Sequence, residues 1–434
     1  MSPKKSCLFV AYAYPPISSP GAVRATRLLK MLDQFGWIGQ VVTVQDGYSL
    51  RQGGLSDPLA DQPSRVIRVN DPIAQLAGGK TLTAGSGHTA EGVRPNWIKR
   101  VVASTLGHFK RLLFPDRGIL WVLVAAIVRK DREFPDIDLV HSTSPNQSSH
   151  ILGWAIARRR KIPWVAEFRD PISWLPDEQS DSYVRRKLLA KYEAWVVNKA
   201  DVTVVVSEAF AEYFRSIYPR RKIVAIPNGV EFDIDEVVRR LELRQQRPAL
   251  SPVRLVHTGS LYAGARKPGP LIEAAKRARD VYGVSVLVEF AGEDTQIAIE
   301  AANLLACRDL VKVHDTLTHS ATQELLRSAD ATVALLHDDR IAQIGIMSKF
   351  FDYLPTGAPI LCIGDANAML SRIVQQDELG VAFLYSDIDQ MARWIADLPG
   401  MRAPKTLDAC EKWSSKQMAL NVSELFDDVL MQSK

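Results

Sequence analysis

Cysteine is scarce: Cys7, Cys307, Cys362 and Cys410 are the four in the chain, scattered without metal-ligand spacing. They read as core residues rather than as a disulfide framework or zinc ligands. The eight histidines show no zinc spacing either, and the nucleophile elbow of hydrolases is absent. Long apolar runs are missing too. Gly118 to Val128 is uncharged but falls short of the roughly 20 residues needed to cross a bilayer, so a buried helix is expected there. Cys7 to Tyr14 runs straight into Pro15-Pro16 without the charged, apolar and small-residue order of a signal peptide, and a cytoplasmic location is expected. Gly85-Ser86-Gly87 has no strand leading into it and lacks dinucleotide-loop spacing, so Ala84 to Gly92 reads as a mobile loop. Asp-Ile-Asp begins at Asp136, Asp233 and Asp387, a recurrence that marks it as a chance pattern, and no metal site is expected.

What is present is the makeup of a soluble globular chain, 47% apolar and 24% charged. Its 434 residues are too many for one ordinary core and suit two domains of about 200 residues each. The net charge of +5 is modest, and no nucleic-acid partner is expected. It is unevenly placed. Between Arg94 and Glu133 basic residues outnumber acidic ones and interleave with Trp97, Ile98, Val101, Phe109, Leu112 and Phe114. That mixture suits a helix lying on an anionic membrane surface, or a solvated basic face over an internal core.

The order of elements points to α/β architecture. Ser6 to Ala13 reads as a strand, followed by a loop through Pro20-Gly21, a helix from Ala22 to Phe35 and a strand from Gln40 to Val44. Ligands in such sheets bind beyond the carboxyl ends of the strands. Gly21 therefore belongs at a cleft, where the absence of a side chain permits close approach, with Arg24 on the helix that follows. Asp138 to Ser142 and Pro163 to Phe168 are further strands. The second ends in Arg169-Asp170-Pro171, a charged pair placed either for a cleft function or as a structural salt bridge. A domain over 1–243, a polar linker over 244–252, a second alternating domain over 253–402 and a C-terminal segment over 403–434 complete the division.

The stretch from Gln343 to Leu361 reads as loop, short helix, turn and buried strand. A helix starting near Met347 or Ser348 would aim its positive end at an anion, phosphate being the natural one. Lys349 adds a charge there, and Asp352 is placed to accept hydrogen bonds from ligand hydroxyls. With Lys349, Asp352, Tyr353, Gly357 and Pro359, the segment resembles the donor-binding helix of retaining GT-B glycosyltransferases of the family 4 type. PPISSPG, DLVHS, FRDP, ADVTVVVS, IPNGVE and HTGSLYAGARKPGPLIEA occur in that family's order.

The resemblance implies two Rossmann-like domains, the first holding an acceptor and the second a nucleoside diphosphate sugar, with the last helix crossing back to the first. It implies that Arg266 and Lys267 grip the diphosphate together with Lys349, Met347 and Ser348, and that Gly259 and Ser260 line the same cleft, with Thr318 or His319 beside the base. A cationic cradle of this kind needs no metal and no cofactor. The expected activity is retaining transfer from a UDP- or GDP-linked sugar to a glycan or lipid-linked acceptor, with peripheral membrane contact, Arg169 and Asp170 being the catalytic candidates. Two departures stand out: the first of the family's paired acidic positions is Ile344, and the usual strand-end histidine is replaced by Arg169-Asp170. A catalytically silent subunit or a nucleotide-sugar epimerase on the same fold are the alternatives.

Overall fold

A computed structural model describes residues 4–17, 19–45, 55–74, 113–128, 130–134, 136–174, 182–245, 252–337, 340–401, 404 and 406–433. The expected mobile loop at Ala84 to Gly92, the basic aromatic stretch as far as Leu112 and most of the expected linker lie outside these residues. The chain forms two compact units, Met1–Asn228 with Met418–Lys434, and Gly229–Gln417.

The first unit is built on a parallel sheet of seven strands: β1 Lys5–Val10, β2 Trp37–Val44, β3 Val66–Val69, β4 Leu139–Thr143, β5 Trp164–Phe168, β6 Val202–Val205 and β7 Ile223–Ala225. Their order is β3-β2-β1-β4-β5-β6-β7, so the chain steps outward from β1 and returns to its other side at β4. β4 and β5 are buried along their whole length, as expected at the centre of a parallel sheet covered on both faces, although both carry polar residues, His141, Ser142 and Thr143 on β4 and Glu167 on β5. Ser19 caps the helix Pro20–Met31 by accepting from Ala22 N at 3.3 Å, which sets Gly21 in its first turn. The chain leaves that region through Gly36, in the left-handed conformation at φ 82°.

The helix expected to be buried at Gly118 to Val128 spans Ile119–Val128 and is only half covered. Trp121, Val122 and Ala125 are buried, while Leu123, Ile127 and Val128 are exposed. A helix lying on a sheet buries one face, whatever the composition of the other.

The last helix, Ser415–Gln432, supplies Met418, Ala419, Val422, Leu425, Phe426 and Val429 to the core of the first unit, beside Cys7, Phe9 and Trp37. Phe426 meets the ring of Trp37 edge-on at 5.1 Å, and Asp427 accepts from Trp37 Nε1 at 3.0 Å.

The second unit carries six parallel strands: β8 Val253–Thr258, β9 Val286–Ala291, β10 Val311–His314, β11 Ala331–Leu335, β12 Ile360–Ile363 and β13 Gly380–Phe383. The order β10-β9-β8-β11-β12-β13 again reverses beside the first strand, between β8 and β11. β13 falls in the short apolar run from Leu379 to Tyr385, and all four of its residues are only half-buried, as suits a strand at the sheet edge. The helix expected near Met347 is a single turn, Phe350–Tyr353, continued by a 3-10 turn at Leu354–Thr356. Pro355 and the left-handed Gly357 stop it, so its dipole is small and cation placement carries the electrostatics. All four cysteines are buried and free.

Candidate functional site

In open parallel sheets the crevice lies where strand order reverses, at the carboxyl ends of the strands. In the second unit that place is the end of β8 beside β11. The two strands pair at Leu255 with Ala331 and at Val256 with Thr332, and the ladder then stops. Side chains take over. His257 Nδ1 lies 2.9 Å from Val333 O, while Tyr353 Oη donates to the same carbonyl at 3.0 Å and accepts from Thr258 N at 3.2 Å. Since a carbonyl only accepts, the His257 proton sits on Nδ1. Its Nε2, which has no partner among the described residues, is a bare lone pair.

The opened strand ends place Gly259 and Lys349 together. Gly259 has φ 101°, and a Cβ there would fall 2.3 Å from both Cε and Nζ of Lys349. The lysine thus occupies the space that a side chain at 259 would need. Its ammonium is buried and makes no hydrogen bond among the described residues. Burial, reinforced by the charge of Arg266, pulls its pKa from 10.5 down to about 7, with Asp352 acting weakly the other way. His257 is wholly buried, and its pKa is held well below the usual value by burial and then by the Lys349 charge.

The loop after β8 supplies the second cation. Arg266 is 8% exposed, donates from Nη1 to Ser260 O at 3.0 Å and stacks over Tyr262 at 4.5 Å. Ser260 Oγ donates to Asp294 at 3.2 Å and accepts from Tyr262 N at 2.9 Å, bracing the loop. Lys267 is exposed, with its ammonium 5.8 Å from the ring centre of Tyr385. Met347 packs against the core of the unit, Ser348 is exposed, and Asp352 follows in the one-turn helix. Gly259, Ser260, Arg266, Lys349 and Asp352 therefore gather around one strand end, with Lys267 at its rim.

Thr318 is used structurally, capping the helix His319–Arg327 by accepting from Ala321 N at 3.3 Å. Ile344 is buried at 7% exposure. One aspartate of each Asp-Ile-Asp triplet holds backbone, Asp138 accepting from Ser6 N, Asp233 from Asp235 N and Asp387 from Leu384 N.

Two participants carry no individual mark in the sequence. His257 sits inside the HTGSLYAGARKPGPLIEA motif but reads as strand. Gly292, at φ 138°, lets β9 end against Gly259: a Cβ on it would lie 2.6 Å from the Gly259 carbonyl carbon. The available signal is a glycine at the end of each of two adjacent strands.

In the first unit the reversal falls between β1 and β4, and Gly21, Arg24, Arg169 and Asp170 gather near it. A Cβ on Gly21 would lie 2.9 Å from Pro145 Cδ and 3.1 Å from Arg169 Nη1. Arg24 is 2% exposed and fully engaged, contrary to the expectation of a cleft residue. It donates to Glu167 Oε2 at 2.9 Å, Ile226 O at 2.9 Å, Pro227 O at 2.8 Å and Asn228 Oδ1 at 3.1 Å. These bonds fasten the segment after β7 to β5. Glu167, buried, also accepts from Thr143 Oγ1 at 2.7 Å and stands 3.4 Å from His141 Nε2. Arg24 and these donors keep its carboxyl ionised against the opposing effect of burial, far below the usual range.

Residues 21–229 match the model of the glycosyl transferase 4-like domain. No match was found among curated protein sequences. Among solved structures, sucrose-phosphate synthase from Thermosynechococcus elongatus superposes with a TM-score of 0.60 at 15% identity, over 99% of this chain and 100% of that one. HepE of Anabaena, solved in complex with UDP-glucose, gives 0.58 at 13% identity over 98% and 100%. The pneumococcal O-GlcNAc transferase GtfA, in complex with UDP and GlcNAc, gives 0.58 at 9% identity over 98% and 99%. The chain has the GT-B fold, and its residues 21–229 are similar to the glycosyl transferase 4-like domain.

Proposed function

We propose that the protein is a retaining glycosyltransferase that moves a sugar from a nucleoside diphosphate sugar to a glycan or lipid-linked acceptor. The observation that carries the reading is the Lys349 ammonium: it is buried at the β8/β11 strand end against Gly259, with no hydrogen-bond acceptor among the described residues. An unpaired buried cation is costly unless its site takes an anion, and a departing diphosphate is the anion that sugar transfer generates.

In this reading Lys349 and Arg266 hold the diphosphate, Lys267 joins them from the rim, and the Gly259–Ser260 backbone lies against the phosphates. Met347 and Ser348 shape the turn before Lys349, and Asp352 receives ligand hydroxyls. The cations supply the charge a metal would otherwise provide, so turnover should persist in EDTA. Arg169, Asp170 and Gly21 serve the acceptor side in the first unit. That related folds were solved with UDP-glucose or UDP supports a uridine nucleotide as the donor base. An acceptor on a lipid would place the protein at the cytoplasmic membrane face. No described helix is long and apolar enough to cross a membrane.

The test is the shift in melting temperature with UDP, GDP, ADP and dTDP, on the native chain and on Lys349→Ala. Ligand at 100 times its dissociation constant stabilises by about 2.7 kcal/mol. One nucleotide should shift the native chain, and the variant should lose the effect. A chain that answers to none, with or without magnesium, would instead be a silent GT-B subunit acting through a partner protein. The buried Ile344, in place of an acidic residue, favours that second reading.

A further inference from the structure

The first unit holds a second unpaired cation. Arg169 leaves the end of β5 with its backbone N–H on Ser144 Oγ at 3.2 Å, and its guanidinium lies against Gly21. Its Nε is buried and without a partner, and no ion pair among the described residues reaches its side chain. The nearby acids do not compensate it. Both oxygens of Glu167 are taken, one by Arg24 and one by Thr143. Asp170 influences Arg169 through space but forms no ion pair with it. Burial pushes the Asp170 carboxyl toward its neutral form, with Arg169 opposing that shift. Arg24, the other guanidinium here, repels Arg169 and, after burial, is the main influence making its charge unfavourable.

Two guanidiniums thus face one fully occupied carboxylate at the strand reversal of this sheet. A planar fork with free donors beside a glycine, where backbone and ligand can approach closely, is suited to a tetrahedral oxyanion bound in bidentate fashion. We propose that the first unit recognises its acceptor through a phosphate group, a phosphate ester or diphosphate, seated on Arg169 over Gly21. This rests on the glycosyltransferase reading and narrows it: the acceptor is anionic near the hydroxyl that receives the sugar. The phosphate belongs either to a free sugar phosphate or to a lipid-linked diphosphate.

The experiment uses the full chain with its donor nucleotide at saturation, so that the second unit is occupied. Inorganic pyrophosphate, a hexose phosphate and a short prenyl diphosphate are titrated by calorimetry, with the unphosphorylated hexose as control. The native chain should bind pyrophosphate and one of the two organic probes, that probe naming the source, and should ignore the neutral sugar. Arg169→Gln should weaken phosphate binding about tenfold to a hundredfold while leaving the nucleotide shift as in the native chain. A native chain that binds no phosphate probe, or an Arg169→Gln variant that responds to nucleotide and binds phosphate as tightly as the native chain, would overturn the proposal. Should Arg169→Gln fail to fold, Arg169→Lys is read instead. It keeps the charge but loses the fork, so weakened binding is expected and unchanged affinity counts against the site. Failure of the donor reading appears separately, as the absence of any Lys349-dependent nucleotide shift.

Discussion

Two glycines meet at the ends of β8 and β9, and they differ in what opposes a side chain. A methyl at Gly259 would collide with the far end of Lys349, which can swing away. Gly259→Ala should therefore fold with a cost of about 1–2 kcal/mol, from its positive φ, while displacing the lysine and weakening nucleotide binding. A methyl at Gly292 would collide with the backbone of Gly259, which has nowhere to go. Gly292→Ala should lower the melting temperature more than Gly259→Ala does, and equal melting points would count against this geometry. Lys349 makes a second prediction. Its folded pKa, about 7, lies below the ordinary 10.5, so between those values the unfolded chain binds more protons than the folded one. Its contribution to stability therefore rises with pH through that window, and the penalty of the buried charge is fully present below it. A bound diphosphate reverses the shift. Calorimetry near pH 8, in buffers of different ionisation heat, should show proton uptake on nucleotide binding that Lys349→Met abolishes.

Among the elements, the last helix and the one-turn helix carry the arguments. Ser415–Gln432 is set apart in sequence from the first unit, yet it fills that unit's core with Met418, Phe426 and Val429. Removing residues 415–434 would uncover Phe9 and Trp37. Loss of a buried aromatic alone costs about 3–5 kcal/mol. The truncated chain should lose the cooperative unfolding of the first unit and expose apolar surface that binds a hydrophobic dye; unchanged melting of that unit would refute the packing argument. The segment at Phe350–Tyr353 is legible as a helix start, but its brevity is not. Pro355 and Gly357 stop it, and buried Phe350, Phe351 and Tyr353 hold it in place. Its contribution to the site is thus three side chains, Lys349, Asp352 and Tyr353, rather than a dipole.

At the scale of the molecule, alternating strands and helices are legible because buried parallel strands read as short apolar runs between glycines, prolines and caps. From that pattern follow two parallel sheets, Gly21 at the start of the first helix, Gly259 at the end of β8, and the position of Lys349 after β11. β13 escapes because its short apolar run, Leu379 to Tyr385, does not by itself tell a strand from a helix segment, and Arg24 looks available because a guanidinium on an early helix turn carries no mark of its partners. Those partners come from distant segments, Glu167, Ile226, Pro227 and Asn228. Which cations are satisfied is therefore a matter of three-dimensional packing. The charge of Arg24 is answered by Glu167, whereas Lys349 and the Arg169 Nε are buried without a partner among the described residues. Pairing depends on contacts between residues far apart in the chain, and local sequence does not specify those contacts. Local composition sets where the strands end; the packing of remote segments leaves two of those ends with a buried, unanswered cation.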